Sequence, residues 1–548
     1  MSRLSLLANV ITRIGGTRTR ARFMAALHDP APAQWAILRR TLDAGADAVY
    51  GRAHGFASIR SAREFAERVP LVTYDDVERW VARIAAGEQH VLTRDVVRFM
   101  EPTGGSSGVL KLIPYTSQLL AEFSSAMMPW VADLLAHRPA LMRGRAYWAI
   151  TPPGRRPSQT AGGLPVGMQD DAAYFPAPLR ALLRRGLAVP AAVAAAPDIP
   201  SCRYLTLLAL LGASDLALIS VWSPSFLVLL AGALDEQFDR LLHDLERGTV
   251  SIPLDAPLAA RIQRALPARP ARARALRVRF GTHAPEDLGR IWDGLSLISC
   301  WTEGHAARAL SGVRARFPGV ELQGKGLVST EGVVSIPWLE AAAPVAALTS
   351  HYLEFLDPRD GRTFPAHLVE VGGTYETVIT TGGGLYRYRT RDLVRVDGMY
   401  RRAPMLSFQG RADGASDMAG EKLTAPLVER AIDAAAYAAG RAPTFAMLVP
   451  AWDPMPHYRL YLDAGDGDAC TLAGAVEREL NAAHHYGLCR ALGQLGPVRG
   501  VAVAHAHRRY EHACAGRGQR AGAIKPPALD ATPGWERVFE PDETPVLR

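Results

Sequence analysis

From Val96 onward the chain repeats one rhythm: a short apolar run, a glycine-rich or polar turn, then residues at helical spacing. Strands that alternate with helices in this way are accommodated by an α/β fold, in which helices cover a largely parallel sheet. Candidate strands are Ala146 to Thr151, Leu216 to Val221, Leu297 to Trp301, Leu327 to Ser329, Val333 to Ile336, His351 to Leu356, Glu376 to Thr380 and Leu393 to Val396. Several end in a polar cluster, and open α/β sheets bind ligands just beyond their strand ends. Before Val96 the spacing is helical, from Trp35 to Leu42, Phe65 to Val69 and Pro70 to Ile84, with Thr73 or Asp75 placed to cap the last of these. The α/β region therefore carries a helical lead-in.

A chain of 548 residues exceeds what one core usually serves. The pattern breaks at Phe408 to Gly420, where glycines and aspartates interrupt it, and a new series starts at Leu423. This predicts a large N-terminal domain over 1–410 and a smaller α+β domain over 411–548. The longest apolar stretch considered as a membrane span, Leu205 to Leu230, is broken by Gly212, Ser214, Asp215 and Pro224, so no membrane partner is expected. Arg13 follows Leu4 to Ile11 without a small-residue cleavage site, which suits a helix better than a signal segment. Five widely spaced cysteines form no Cys-x-x-Cys pair, and a reducing cytoplasm fits that usage. Seven arginines lie between Arg261 and Arg279 in a chain of net charge +8, but no aromatic residue is interleaved up to Val278. A solvated face is expected there, and no nucleic acid. Of the 62 basic residues only four are lysine, Lys111, Lys325, Lys422 and Lys525, each beside a glycine or proline motif. In so arginine-biased a chain, a lysine marks a place where a compact ammonium serves better than a planar fork.

Five motifs carry candidate chemistry. Thr103, Gly104, Gly105, Ser106, Ser107, Gly108 and Lys111 crowd one turn, where backbone N–H groups, hydroxyls and an ammonium suit a polyphosphate. The order is not that of a Walker P-loop, and a structural Gly/Ser turn has the same composition. Ser329, Thr330 and Glu331 follow an apolar run and precede Gly332; a carboxylate there is the hard ligand that Mg²⁺ on a nucleotide uses, or the tripeptide is a plain turn. Thr380 to Asp392 combines three glycines with Arg387, Arg389 and Arg391, and Asp392 is placed to accept ribose hydroxyls, the alternative being an exposed hairpin. Arg411 and Asp413 lie at the domain junction, as a nucleotide contact and hinge or as an ordinary linker. Lys525 is held between a glycine-rich turn and Pro526-Pro527, able to neutralise a carboxylate or phosphate or simply to solubilise.

With these motifs in this order, the chain resembles the GH3 family of acyl-acid amido synthetases, within the adenylate-forming superfamily. Further matching stretches are Ala48 to Phe56, Phe65 to Val77, Thr160 to Phe175, Ile219 to Leu227, Cys300 to Gly304 and Gly384 to Asp392. The resemblance implies an ATP- and Mg²⁺-dependent ligase that adenylates a small carboxylic acid and passes the acyl group to an amino acid or other amine. It implies a phosphate loop at Thr103 to Lys111, a second nucleotide motif at Ser329 to Glu331 with Glu331 toward the metal, a ribose contact at Asp392, a hinge at Arg411 and Asp413, and an adenylation lysine at Lys525. Two departures stand out: the loop reads Thr-Gly-Gly-Ser-Ser-Gly where Thr-Ser-Gly-Thr-Thr-Gly is common, and Arg391 occupies a position where glycine is usual. An acyl-CoA ligase and a non-catalytic nucleotide binder remain as rival expectations. The acyl pocket is expected along Phe123 to Trp130, Tyr174 to Leu179 and Trp222 to Phe226, with a mild preference for hydrophobic or aromatic acids.

Overall fold

The computed structural model describes residues 3–103, 111–149, 158–167, 186–412, 414–440, 442–464, 468–516 and 526–540. The chain divides into two compact units that change over between Gly410 and Arg411. Both mix helix and sheet, so the fold is α/β with a smaller α+β unit at its C-terminal end.

The first unit opens with helices, as the spacing predicts: α1 (Arg3–His28), α2 (Pro30–Gly45), α3 (Val49–Ala53), α4 (Ala62–Arg68) and α5 (Tyr74–Ala85). Thr73 caps α5 in a box with Asp76, whose carboxylate accepts from the Thr73 backbone N–H at 2.8 Å. The strands that follow are β1 (Val97–Thr103), β2 (Lys111–Thr116), β3 (Arg145–Trp148), β4 (Ser158–Gln159), β5 (Pro165–Val166), β6 (Leu216–Ser220), β7 (Leu297–Cys300) and β8 (Glu321–Gly324). Then come β9 (Ser335–Ile336), β10 (Val345–Ala346), β11 (Tyr352–Leu356), β12 (Thr363–Pro365), β13 (Thr374–Thr380), β14 (Tyr388–Tyr400) and β15 (Ala403–Arg411).

Three sheets result. A small one runs β2-β1-β5-β4 and a larger antiparallel one runs β12-β11-β13-β14-β15-β10-β9. The third, β3-β6-β7-β8, is parallel throughout, so its four carboxyl ends lie along one edge. The helices Ile199–Gly212 and Pro224–Arg247 bury Leu205, Leu208, Leu234 and Phe238 in one core with Ile219 and Ile298 of that sheet.

The helix α6 (Ser117–His137) corrects the survey of apolar segments, because by length and composition it could cross a membrane. Its packing is that of an interior helix. Glu122 and Asp133 are buried on it and matched, Asp133 by Arg20 at 3.2 Å and Glu122 by the His351 ring at 2.9 Å.

In the second unit the strands β16 (Ala446–Ala451), β17 (His457–Asp463) and β18 (Arg499–Val503) form a mixed sheet against the helices Ala425–Ala438 and Ala469–Asn481. All five cysteines are unpaired, and no group of metal-binding side chains occurs among the described residues.

Candidate active site

Thr103 closes β1 and is buried, and Lys111 opens β2. The loop between them, with Gly104, Gly105, Ser106, Ser107 and Gly108, lies outside the described residues. Strand β2 leaves that loop and carries Tyr115, whose hydroxyl donates to the backbone carbonyl of Thr330 at 2.7 Å. Two motifs separated by some two hundred residues are thereby pinned to one another through a side chain that the sequence reading passed over.

Ser329 to Gly332 is the tip of a hairpin rather than the end of a strand, which corrects the expected strand at Leu327 to Ser329. Val328 bridges Val333, and the Ser329 N–H donates to the Gly332 carbonyl at 2.9 Å. Such a turn holds the half-buried Ser329, Thr330 and Glu331 on a rigid tip. Gly332 is required by proximity, because a Cβ there would come 2.9 Å from Nε2 of His351. His351 is itself fully buried and held through Nδ1 by Glu122, which also accepts from the Gly382 N–H at 2.8 Å. The base of the Ser-Thr-Glu turn thus rests on the same carboxylate that anchors the glycine-rich third motif.

In that third motif the glycines serve packing. A Cβ on Gly382 would stand 2.4 Å from Cγ of Gln118, and one on Gly384 2.5 Å from Cβ of Leu92. Arg387 is buried, pairing with Glu354 at 2.9 Å and donating to the carbonyls of Ala66 and Val69. It is a tie between β14, β11 and α4, not a solvated charge. Strand β14 begins at Tyr388, earlier than the expected Leu393, and its pairing with β13 slips between Glu376 and Val378. Asp392 lies in that bulge, buried, with its N–H on the Thr390 hydroxyl at 3.2 Å. Bulges re-aim the side chains they carry. Arg391, its neighbour, adopts φ 67°, a conformation natural to glycine, and stands 3.8 Å from Glu376. Arg411 ends β15 at the start of the second unit; Asp413 and Lys525 lie outside the described residues.

The edge of the parallel sheet holds a second cluster. Strand β3 ends on Trp148, Trp222 follows β6 by two residues, Trp301 follows β7 directly, and Lys325 follows β8 directly. Trp130 reaches in from α6, its indole N–H donating to Gln323 at 3.1 Å. The scarcity of lysine singled Lys325 out, yet gave it no task. Its ammonium donates to Ser220 Oγ at 2.6 Å and stands 5.0, 5.2 and 5.6 Å from the ring centres of Trp222, Trp148 and Trp130. Burial pushes the Lys325 pKa down to about 7, the Cys300 sulfur opposing the shift. Of the expected acyl-pocket segments, Phe123 to Trp130 is buried on α6 and Trp222 to Phe226 lies at the end of β6, while Tyr174 to Leu179 is outside the described residues. A surface depression of about 930 Å³ walled by Arg39, Arg40, Asp43, Arg94 and Asp95 includes none of the sequence-selected residues.

Residues 19–322 match the GH3 family N-terminal domain and residues 345–411 the GH3 family central domain. The indole-3-acetic acid-amido synthetase GH3.3 of Arabidopsis thaliana is 24% identical over 439 residues, covering 74% of this chain and 71% of its own. The indole-3-acetic acid-amido synthetase GH3.15 of the same plant is 27% identical over 406 residues, covering 69% and 67%. Among solved structures, the GH3.15 acyl acid amido synthetase in complex with 2,4-DB superimposes with a TM-score of 0.67 at 22% identity, over 96% of each chain, which shows a shared fold.

Proposed function

The chain belongs to the GH3 family, and from that premise we propose that it is an ATP-dependent ligase that adenylates a small carboxylic acid and passes the acyl group to an amine, an amino acid by preference. The observation that carries the reading is the Tyr115 to Thr330 hydrogen bond, which fastens the Ser-Thr-Glu turn to the strand leaving the glycine loop.

In the first step a carboxylate oxygen of the acid attacks the α-phosphorus of ATP, and pyrophosphate leaves. The acyl-adenylate carbonyl is then attacked by the amine, AMP departs, and the amine's proton passes to solvent. Carboxylate is a poor electrophile; adenylation gives it a stable leaving group. Loop N–H groups and Lys111 stabilise charge on the phosphates, Asp392 holds the ribose, and Lys525 orients the acid against the α-phosphate. Thr330 donates to a phosphate oxygen, and Arg411 with Asp413 forms the link about which the second unit is repositioned for the second step.

Glu331 fits Mg²⁺ of the kind that arrives with a nucleotide. It is a half-buried carboxylate on a rigid turn, and the described residues offer no cluster that would cage a cation without the phosphates. Bound there, the ion would neutralise phosphate charge.

Acid-dependent pyrophosphate release, followed by mass spectrometry with an amino acid or CoA as acceptor, tests the proposal. An amide product is expected, with release lost in Lys111→Ala and Lys525→Ala. Thioester in place of amide would reassign the chain as an acyl-CoA ligase. Full activity in both variants would overturn the residue assignments, and nucleotide binding without turnover over a broad acid panel would mark a non-catalytic relative.

A further inference from the structure

Four adjacent parallel strands deliver Trp148, Trp222, Trp301 and Lys325 to one sheet edge, where α/β sheets take their ligands. Trp148, Trp222 and Trp301 are only half-buried, so each presents part of a ring beyond the core, while Lys325 is 5% exposed. The ring centres of Trp222 and Trp301 are 6.0 Å apart, as are those of Trp130 and Trp148. A buried ammonium is costly unless paired with an anion, and among the described residues no carboxylate pairs with Lys325. One hydroxyl, of Ser220, and three ring faces hold it in place of a counter-ion. Among the described residues, Lys325 is thus a buried cation donor with a hydroxyl and ring faces for neighbours and no carboxylate.

Its distance from the Ser-Thr-Glu turn narrows what that is. Ser329 lies four positions after Lys325, a span of at most about 14 Å between their Cα atoms. A lysine meant for the reacting carboxylate would lose its partner when adenylation removes that charge, favouring ground state over transition state. An anion at the other end of the acid keeps its charge through both steps. Resting on the ligase reading above, we propose that this edge is a subsite for a flat, unsaturated dicarboxylic acid, with the tryptophans bearing its body and Lys325 pairing with the carboxylate that is not activated. The depressed basicity of Lys325 accords with this, since an amine near its titration point gains a proton when an anion arrives.

The test compares matched acids on the full chain, benzoate against terephthalate and cinnamate against 4-carboxycinnamate, by pyrophosphate release and by quenching of tryptophan fluorescence. Wild type should favour each diacid by about tenfold in kcat/KM, the measure of one charge-assisted hydrogen bond. Lys325→Met should abolish that preference, raising KM for each diacid about tenfold more than for its monoacid. Lys325→Gln, which keeps a donor for Ser220, guards against misfolding and should behave alike. An unchanged diacid-to-monoacid ratio in both variants overturns the proposal. Without pyrophosphate release from any acid the ligase reading falls, and the subsite is then decided by quenching: tighter diacid binding in wild type than in either variant upholds it, equal binding overturns it.

Discussion

At the scale of single residues, two positions carry costs that the sequence alone hides. Arg391 adopts φ 67°, a conformation natural to glycine, and its pair with Glu376 at 3.8 Å is long and partly exposed. A left-handed non-glycine residue costs about 1–2 kcal/mol, more than a pair of that kind returns. Arg391→Gly should therefore stabilise the protein by about 0.5–1 kcal/mol once glycine's own entropy is counted, read as a higher urea midpoint; a midpoint lowered by the variant would show that Arg391 holds something beyond its backbone. Lys325 is the second position. Its folded pKa is depressed to about 7, so the unfolded chain binds more protons between there and the ordinary lysine value, and the stability linked to this group is complete only above that ordinary value. It is lost as pH falls toward about 7, by up to roughly 1.4 kcal/mol per pH unit. Lys325→Met should flatten this slope, gaining on wild type as pH falls from about 10 to 7 and by a constant margin below. Equal slopes in chemical denaturation across that range would refute the buried charge.

At the scale of elements, the Ser-Thr-Glu hairpin is held at its tip by the Tyr115 hydroxyl. Tyr115→Phe keeps the ring stacked on Phe99 and Phe123 and removes only the hydroxyl. A loss of about 1 kcal/mol in stability is expected, with a several-fold rise in KM for ATP; an unchanged KM would show that the turn keeps its shape unaided. The same elements show what could be read in advance. The α/β rhythm, the helical lead-in and a helix cap at Thr73 or Asp75 were legible because they are local, and the structure assigns the cap to Thr73. Strand β14 was read only from Leu393 to Val396, and its earlier start was missed: Tyr388, Thr390, Asp392, Val394 and Val396 alternate inward, but the arginines between them disguise the period. What could not be read is long-range pairing. Nothing near Tyr115 names Thr330, nothing near Glu122 names His351 and Gly382, and the glycines of the third motif look like a ligand cradle until Gln118 and Leu92 are seen against them.

At the scale of the whole molecule, each unit has its own core, Leu119 and Phe355 lying in one of the first and Leu460 and Val476 in one of the second. The change-over point lies at Gly410, near the end of β15. There Gly410 adopts φ 132°, a conformation that other residues reach only with strain of about 1–3 kcal/mol. Strain added at such a place falls on the link, so Gly410→Val should leave the thermal unfolding of both cores close to wild type. The proposed reaction makes different demands on the link in its two steps, because the acid must first be presented to ATP and the acyl-adenylate then to the amine. A stiffened link should therefore lower amide formation several-fold more than pyrophosphate release. Equal losses in the two steps would mean that Gly410 only shapes the end of β15, and no loss in either would remove the junction from the mechanism.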